Sequence, residues 1–338
     1  MRVAVVFDTP NPGWGHDEFM REMAANEDEA EYDVGDALLL NGHDVRFIGV
    51  HDNLQTLVDE LRAFGPDLVF NCVESFRSEA RLDYLVATVL ESEGLRYTGA
   101  SPLALLLTRN KALSKQVLAY HGIRVPGFVT FHAGDPICLP PDTHFPLIVK
   151  PVGMDASEGI AQASVVESMD QLTERVAFVQ EAFGQPAIAE EFIQGRELYV
   201  SVIGNADRLE ILPLVELVFD KERNRPKERI ATRAAKWDVP YRDRRGIRNV
   251  FARPIAEAAR QQIEAIARTA FRALYLRDYA RLDVRLTPEG EVWVIEANAN
   301  PFISIGHDTA NAAQKAGFTY PGFIQRLVEE AMERHVQA

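Results

Sequence analysis

The strongest constraint on this chain is the alternation of two periodicities in its first hundred residues. Segments 2–7, 45–50 and 68–72 are short apolar runs of strand length, and 31–41, 54–64 and 81–93 between and after them carry helical periodicity. The order βαβαβα implies an open parallel sheet with helices on both faces, because a parallel crossover must be long enough to be filled by a helix. Gly42 stands where a C-cap glycine belongs. Ligands of such sheets sit outside the carboxyl ends of the strands, which here are 8–15, 51–53 and 73–77.

At 338 residues the chain has room for more than one domain. With 47% apolar and 25% charged residues it is not globally disordered. No apolar stretch approaches the roughly 18 residues of a membrane span, and the opening Met1-Arg2-Val3-Ala4-Val5-Val6-Phe7 runs straight into Asp8, a strand rather than a signal peptide. Two cysteines, Cys72 and Cys138, offer no disulfide framework and fit a reducing cytoplasm; Cys72 reads as a buried small apolar residue. A formal net charge of −14 argues against nucleic acid or an anionic membrane as partner. Any bound phosphate therefore needs a local cluster of cations or metal.

Further along, 102–109 and 112–121 read as helices and 134–143 as a proline-spaced loop. Residues 145–150 and 160–165 read as a β-hairpin around a small-residue loop, 170–183 as a helix, and 187–192 and 197–203 as strands. The stretch 221–248 is rich in charge and reads as a mobile loop over a site. A long amphipathic helix over 254–274, a hairpin of 279–286 with 291–297, and a closing helix over 323–335 follow.

That hairpin carries the chemistry. The turn Thr287-Pro288-Glu289-Gly290 sets Leu286 opposite Glu291, Asp283 opposite Val294 and Arg281 opposite Glu296. Alternation then gives one apolar face of Leu282, Val284, Leu286, Trp293, Ile295 and Ala297, and an opposite face of Arg281, Asp283, Arg285, Val294, Glu296 and Asn298. Two carboxylates and an amide oxygen in one patch are hard donors suited to Mg²⁺. The same pattern also describes a solvated face with a cross-strand Arg–Glu pair. The continuation Asn298-Ala299-Asn300-Pro301, polar and irregular, favours a site at a strand end.

Two other segments suit a nucleotide. Lys150 ends an apolar strand and precedes Pro151-Val152-Gly153-Met154-Asp155-Ala156-Ser157-Glu158-Gly159-Ile160, whose small residues allow backbone N–H groups to approach phosphate oxygens. The loop lacks the Lys-Ser/Thr pair of a P-loop. The connector Glu190-Glu191-Phe192-Ile193-Gln194-Gly195-Arg196-Glu197 joins two strands and could present backbone groups to adenine and a carboxylate to ribose.

In this order and spacing the segments resemble the ATP-grasp superfamily, and within it the D-alanine–D-alanine ligases and their relatives; Tyr97-Thr98-Gly99, Lys111, Lys150, the 190–197 connector, Lys236 and Arg281…Asp283…Glu296-Ala297-Asn298 carry the likeness. The resemblance implies an α/β (α+β overall) ATP-grasp fold: an N-terminal Rossmann-like parallel sheet over 1–106, a central lid subdomain over 107–195 and a C-terminal ATP-grasp subdomain over 196–338. It implies a cytoplasmic enzyme, a possible homodimer, that activates a carboxylate as an acyl phosphate and joins it to an amine. Lys111, Lys150 and Lys236 would contact phosphates, Ser157 and Gly159 would belong to the phosphate-covering loop, Glu190, Phe192 and Ile193 would hold adenine, and Glu197 the ribose. Asp283, Glu296 and Asn298 would hold two Mg²⁺ ions, with Mn²⁺ a possible substitute, and Arg281 would bridge the transferring phosphoryl group and the later oxyanion, with Ser157 and Lys236 assisting.

The departures from the family pattern fall on the substrate side. The loop usually written Glu-Gly-Ser-Ser-Val-Gly is Met154-Asp155-Ala156-Ser157-Glu158-Gly159, and the tyrosine beside the loop lysine is Trp237. Asn71-Cys72-Val73-Glu74-Ser75 replaces a His-Gly segment, Phe302 replaces a glycine, and His307 stands where a substrate-binding serine would align. Glu27, Glu29 and Glu31 are candidates for the family's N-terminal glutamate. Glu74, Phe302, Ser304 and His307 are thus candidate substrate contacts, and the expected substrates are amino acids or a small amine other than the D-alanine pair. A true D-alanine–D-alanine ligase, an ATP-dependent phosphotransferase and a nucleotide-sensing module are the alternatives.

Overall fold

The computed structural model describes residues 1–9, 19–20, 30–154 and 157–337. The apolar run Val3–Phe7 is buried throughout, as a central parallel strand must be. It forms β1 (Arg2–Asp8), flanked in parallel by β2 (Asp44–Val50) and β3 (Leu68–Asn71) in the order β2-β1-β3. Helix α1 (Ala30–Leu40) packs Tyr32, Val34 and Leu38 into one core with Val3, Val5 and Phe7. Helices α2 (Leu54–Phe64) and α3 (Asp83–Ser92) pack Leu57, Leu61, Val86 and Leu90 into the other, with Ala4 and Val6. The chain enters α2 through the Asn53 side chain, which accepts from the Gln55 N–H at 2.9 Å, and leaves it through Gly65. The expected parallel sheet with helices on both faces is therefore present. Cys72 is only partly buried, packed against the first of these cores rather than inside it.

Helices α4 (Pro102–Arg109) and α5 (Lys111–Tyr120) follow, with Asn110 closing one and capping the next. The central sheet holds β4 (Phe128–Phe131), β5 (Leu147–Pro151), β6 (Val165–Val166) and, after α6 (Met169–Phe183), β7 (Ala187–Glu191), in the antiparallel order β4-β7-β5-β6. Leu172, Val176 and Val179 of α6 bury its one apolar face. The hairpin expected from 145–150 and 160–165 survives only at its base: Leu147 pairs with Val166 and Ile148 with Val165, while Gln162–Ser164 is a single 3₁₀ turn.

The C-terminal sheet begins at β8 (Arg196–Ile203), β9 (Glu210–Ile211) and β10 (Val215–Phe219). Short helices α7 (Arg233–Trp237) and α8 (Val239–Arg245) then lead to β11 (Ile247–Phe251), so the charge-rich stretch 221–248 is not one loop. Thr232 and Asp238 cap these helices, accepting from the Ala235 and Tyr241 N–H groups. Helix α9 (Glu257–Ala273) precedes β12 (Tyr279–Leu286) and β13 (Val292–Asn298), giving the order β11-β10-β8-β12-β13 with β9 beside β8. Ile263, Ala267 and Phe271 of α9 cover Leu198, Val200, Leu282 and Val284. After the irregular 299–307 a helix resumes as α10 (Asp308–Lys315), and α11 (Tyr320–Gln337) returns to the N-terminal sheet, where Phe323, Leu327 and Val328 join the core of Val3, Val5 and Phe7. No helix among the described residues is long and apolar enough to cross a membrane.

The β12–β13 register differs from the expected one. Arg281 faces Asn298 and Asp283 faces Glu296, but Val284 faces Val294 and Leu286 faces Val292. The irregularity between Asp283 and Val284 leaves Ile295 as the extra residue of a β-bulge. The bulge changes which residues are core: Val292 and Val294 lie in it with Leu282, Val284 and Leu286, whereas Trp293 and Ile295 do not. One extra residue shifts the alternation, so Glu296 and Asn298 still come to the face that carries Arg281 and Asp283.

Candidate active site

The face of the C-terminal sheet away from α9 is built by strand pairing. β8 sets Glu197 opposite Arg285 and Tyr199 opposite Asp283, and β13 adds Glu296 and Asn298. Gly195 leads into β8 past the β12 backbone so closely that a Cβ there would lie 2.5 Å from the Leu286 carbonyl oxygen, which only glycine permits. Arg285 Nη2 donates to Glu197 Oε2 at 2.5 Å, and Tyr199 OH to Glu197 Oε1 at 3.3 Å. Arg281 grips Asp283 with two bonds, Nε to Oδ1 at 2.7 Å and Nη2 to Oδ2 at 3.1 Å, and its guanidinium lies 4.9 Å from the centre of the Tyr199 ring. Asn298 Nδ2 donates to Asp283 Oδ1 at 3.3 Å.

Lysines from three other elements close on this face. Lys111, in the first turn of α5, places Nζ 2.7 Å from Glu296 Oε1 and donates to the Met154 carbonyl. Lys236 of α7 lies 3.7 Å from Asp283 Oδ2. Lys150 of β5 donates to Glu190 Oε2 at 2.9 Å. Lys115, one helical turn after Lys111, lies 3.1 Å from Glu190 Oε1 and donates to the carbonyl of the bulged Ile295 at 2.6 Å.

Burial and charge oppose each other across this cluster. Burial raises the Glu296 carboxyl, but Lys111 first, then Lys236 and Lys150, hold it at about 2. Glu190 likewise stays below the usual carboxylate range because Lys115 and Lys150 outweigh its burial. The Lys115 ammonium is pushed down, desolvation exceeding the help it receives from Glu190. Arg281 is raised by Asp283 despite its burial. Glu296 therefore presents charged oxygen atoms, with the oxygens of Asp283 and the Asn298 amide beside it.

No group of three or more His, Cys, Asp or Glu side chains able to hold a metal occurs among the described residues. The donor set is two carboxylates and an amide, a sparse oxygen set of the kind Mg²⁺ accepts when water and phosphate complete its shell. The residues present fit that ion.

The cleft between the two sheets is lined by Lys150, Ser157, Glu190, Phe192, Ile193, Glu197, Lys236, Asp283 and Glu296, nine of the expected site residues, with Ile230, Arg285 and Ile295 added. Ser157 takes φ 61° in the loop. Gly159 does not line the cleft; a Cβ there would lie 2.7 Å from the Pro151 ring, and its carbonyl accepts from Arg175 at 2.5 Å. Lys115 and Arg285 were not singled out in the sequence. The helical spacing from Lys111 was the one available signal for Lys115; Arg285 already shared the polar face of β12.

The candidate substrate residues lie elsewhere. Phe302 and His307 form an aromatic group with Trp237, with ring centres 4.6 Å apart for Phe302–His307, 6.0 Å for Trp237–His307 and 6.3 Å for Trp237–Phe302. Ser304 is buried beside Asp33, which accepts from the Ile305 N–H at 2.8 Å. Glu74 stands at the end of β3 with its N–H on Asp8 Oδ1 at 2.8 Å and does not line the cleft. Glu31 lies in α1; Glu27, Glu29, Asp155, Ala156 and residues 10–15 lie outside the described residues.

The family model described as D-ala D-ala ligase C-terminus matches residues 118–329, which contain both sheets of the cleft. The chain belongs to the D-alanine–D-alanine ligase family. Family relatives include an uncharacterized protein of Sinorhizobium fredii, 32% identical over 79% of this chain and 75% of its own length, and a D-alanine–D-alanine ligase of Cupriavidus taiwanensis, 31% identical over 81% and 78%. A D-alanine–D-alanine ligase of Bacillus anthracis superposes over 100% of this chain and 99% of its own with a TM-score of 0.76; a structure of that ligase complexed with ATP gives 0.73. At 20% identity these two establish the ATP-grasp fold. Membership makes this chain an ATP-dependent carboxylate–amine ligase.

Proposed function

We propose that this ligase phosphorylates a small carboxylate with ATP and joins the acyl phosphate to an amine, on amino acids or a small amine other than a pair of D-alanines. The observation that carries the reading is the meeting of Arg281, Asp283, Glu296 and Asn298 on one sheet face, ringed by Lys111, Lys150 and Lys236. The subdomains implied by the resemblance, 1–106, 107–195 and 196–338, set ATP between the second and third.

The enclosed space in the cleft is only ≈ 60 Å³, with Lys111, Lys236 and Arg281 lying across the carboxylates. A nucleotide enters by drawing those cations onto its phosphates. Glu190, Phe192 and Ile193 hold adenine and Glu197 receives the ribose hydroxyls, oriented by Arg285 and Tyr199. Lys111 and Lys150 grip the phosphates, and Ser157 and the loop of Gly159 cover them. Asp283, Glu296 and Asn298 would hold Mg²⁺, two ions in the family arrangement with Mn²⁺ as substitute, which lowers the charge on the transferring phosphoryl group when bound.

A carboxylate resists amines because hydroxide leaves poorly; phosphorylation supplies a better leaving group. Arg281 and Lys236 face the phosphoryl oxygens during transfer, and Arg281 with backbone N–H groups of 302–304 then meets the tetrahedral oxyanion. Helix α7 carries Lys236 to the cleft, and the segment 221–248 around it would exclude water from the acyl phosphate.

The aromatic group of Trp237, Phe302 and His307 supports a substrate other than alanine, since three rings offer far more apolar surface than one methyl group covers. Ser304 and Glu74 complete the proposed substrate contacts. A screen of ADP release over pairs of amino acids and amines tests the reading. Turnover that needs both a carboxylate and an amine, with D-alanine alone a poor pair, is the expected result. Strong turnover on D-alanine alone would return the chain to the activity its Cupriavidus relative is named for, and ADP release with a single acceptor would make it a phosphotransferase.

A further inference from the structure

A second cavity, ≈ 630 Å³, adjoins the cleft and shares Glu197 and Arg285 with it. Its charge is unlike that of the rest of the molecule. Arg196, Lys221, Arg229, Arg253 and Arg285 line it against the two carboxylates Glu197 and Glu216, an excess of positive charge on a chain whose net charge is −14. The volume falls within the range of small-molecule sites, roughly 300–1,000 Å³.

Part of that charge has structural work. Arg196 binds Glu216 with two bonds, at 3.0 and 2.8 Å, and Arg253 binds the same carboxylate, with Nε at 3.1 Å. One guanidinium fork already matches one carboxylate. Arg285 holds Glu197. The remaining cations have no such duty: among the described residues the Arg229 guanidinium donates to the Asn224 carbonyl, at 3.2 and 3.0 Å, Lys221 is exposed, and neither side chain meets a carboxylate. Both sit on the charge-rich segment between β10 and α7, which brings them to the cavity wall. Planar guanidinium groups in numbers beyond the available carboxylates are the recognition chemistry of phosphate groups.

We propose that this cavity binds a small polyanion of the diphosphate class, simultaneously with the nucleotide and not in its place. Arg229 and Lys221 supply the unsatisfied charge, and Arg285 links the polyanion to Glu197 at the ribose end of the cleft.

Calorimetric titration of inorganic pyrophosphate into the full chain, with and without a saturating non-hydrolysable ATP analogue, tests this. The expected result is one-to-one binding that persists with the analogue present. The double variant Lys221→Ala/Arg229→Ala should lose about tenfold or more in pyrophosphate affinity, as removal of two charge-assisted contacts implies, while its affinity for the analogue and its melting temperature stay as in the parent. Lys221→Ala alone, a change at an exposed side chain that leaves the fold intact, should show a smaller loss in the same direction. Abolition of pyrophosphate binding by the analogue would assign it to the nucleotide's own phosphate site and overturn the proposal. So would equal affinity in parent and variants, or no binding at millimolar pyrophosphate.

Discussion

The proposed nucleotide face and the proposed substrate mouth are built from opposite materials. On the nucleotide face buried charges are cross-paired: Glu190 lies between Lys115 and Lys150, Glu296 against Lys111, and Asp283 under Arg281 and Lys236. At the mouth Trp237 is 47% exposed and packs its ring against those of Phe302 and His307. A buried carboxylate between cations cannot be exchanged for a neutral group without stranding charge in a dry site. Half-exposed rings can be exchanged at the cost of packing. The same family scaffold can thus keep one reaction while its substrates change.

Four substitutions sharpen that contrast. The largest effect belongs to Asp283→Asn, which neutralises a proposed ion ligand and the partner of Arg281; ADP release in the full reaction should fall by about 10³ or more, on the scale of losing a principal transition-state contact. Arg281→Lys keeps the charge but loses the two-bond grip on Asp283, and a fall in kcat of about 10² is expected with little change in the KM for ATP. At the mouth the effects should be milder and confined to one substrate. Trp237→Ala and His307→Ala should each raise the KM for the carboxylate or the amine by about tenfold, the scale of one lost apolar contact, and leave the KM for ATP unchanged. Equal losses for ATP and substrate at Trp237 would erase the division between the two regions.

The smallest effect is on stability and lies outside both regions. Burial raises the Glu216 carboxyl, but hydrogen bonds from Arg253 and then Arg196 hold it at about 2, against 4.5 for the free group. A folded-state value below the unfolded one stabilises the protein above pH ~4.5, and that stabilisation fades as pH falls toward 2. Glu216→Gln should therefore melt a few degrees lower than the parent at pH 7, with the gap narrowing between pH 4.5 and 2. A gap independent of pH would show that packing, not charge, accounts for it.

Much of this was legible in the sequence, for reasons particular residues make plain. The alternation of β1 to β3 with helices was visible because each strand is a short apolar run and each helix has its own period. Arg281, Asp283, Glu296 and Asn298 were visible because they interrupt apolar strands. The bulge at Ile295 was not: by simple alternation Trp293 and Ile295 lie opposite Glu296 and Val292 and Val294 lie beside it, and only the pairing with β12 shows that Val292 and Val294 are the buried pair. β10 and β11 escaped notice because the charged segment between them hides two edge-side strands whose partners are distant in sequence. Lys115 was missed because a lysine in a helix is ordinarily a solvated one, and its burial at 1% exposure follows from where α5 docks.

The central claim is that Asp283, Glu296 and Asn298 together hold divalent ions against the nucleotide. Mn²⁺ binding, followed by electron paramagnetic resonance with a non-hydrolysable ATP analogue present, reads it directly. The wild-type chain should hold the ion tightly in the ternary complex, and Asp283→Asn should weaken it by about 10–100-fold, the scale on which metal sites respond to altered ligation, while the analogue itself remains bound through Lys150 and the adenine pocket. Mn²⁺ affinity unchanged by the substitution would contradict the account.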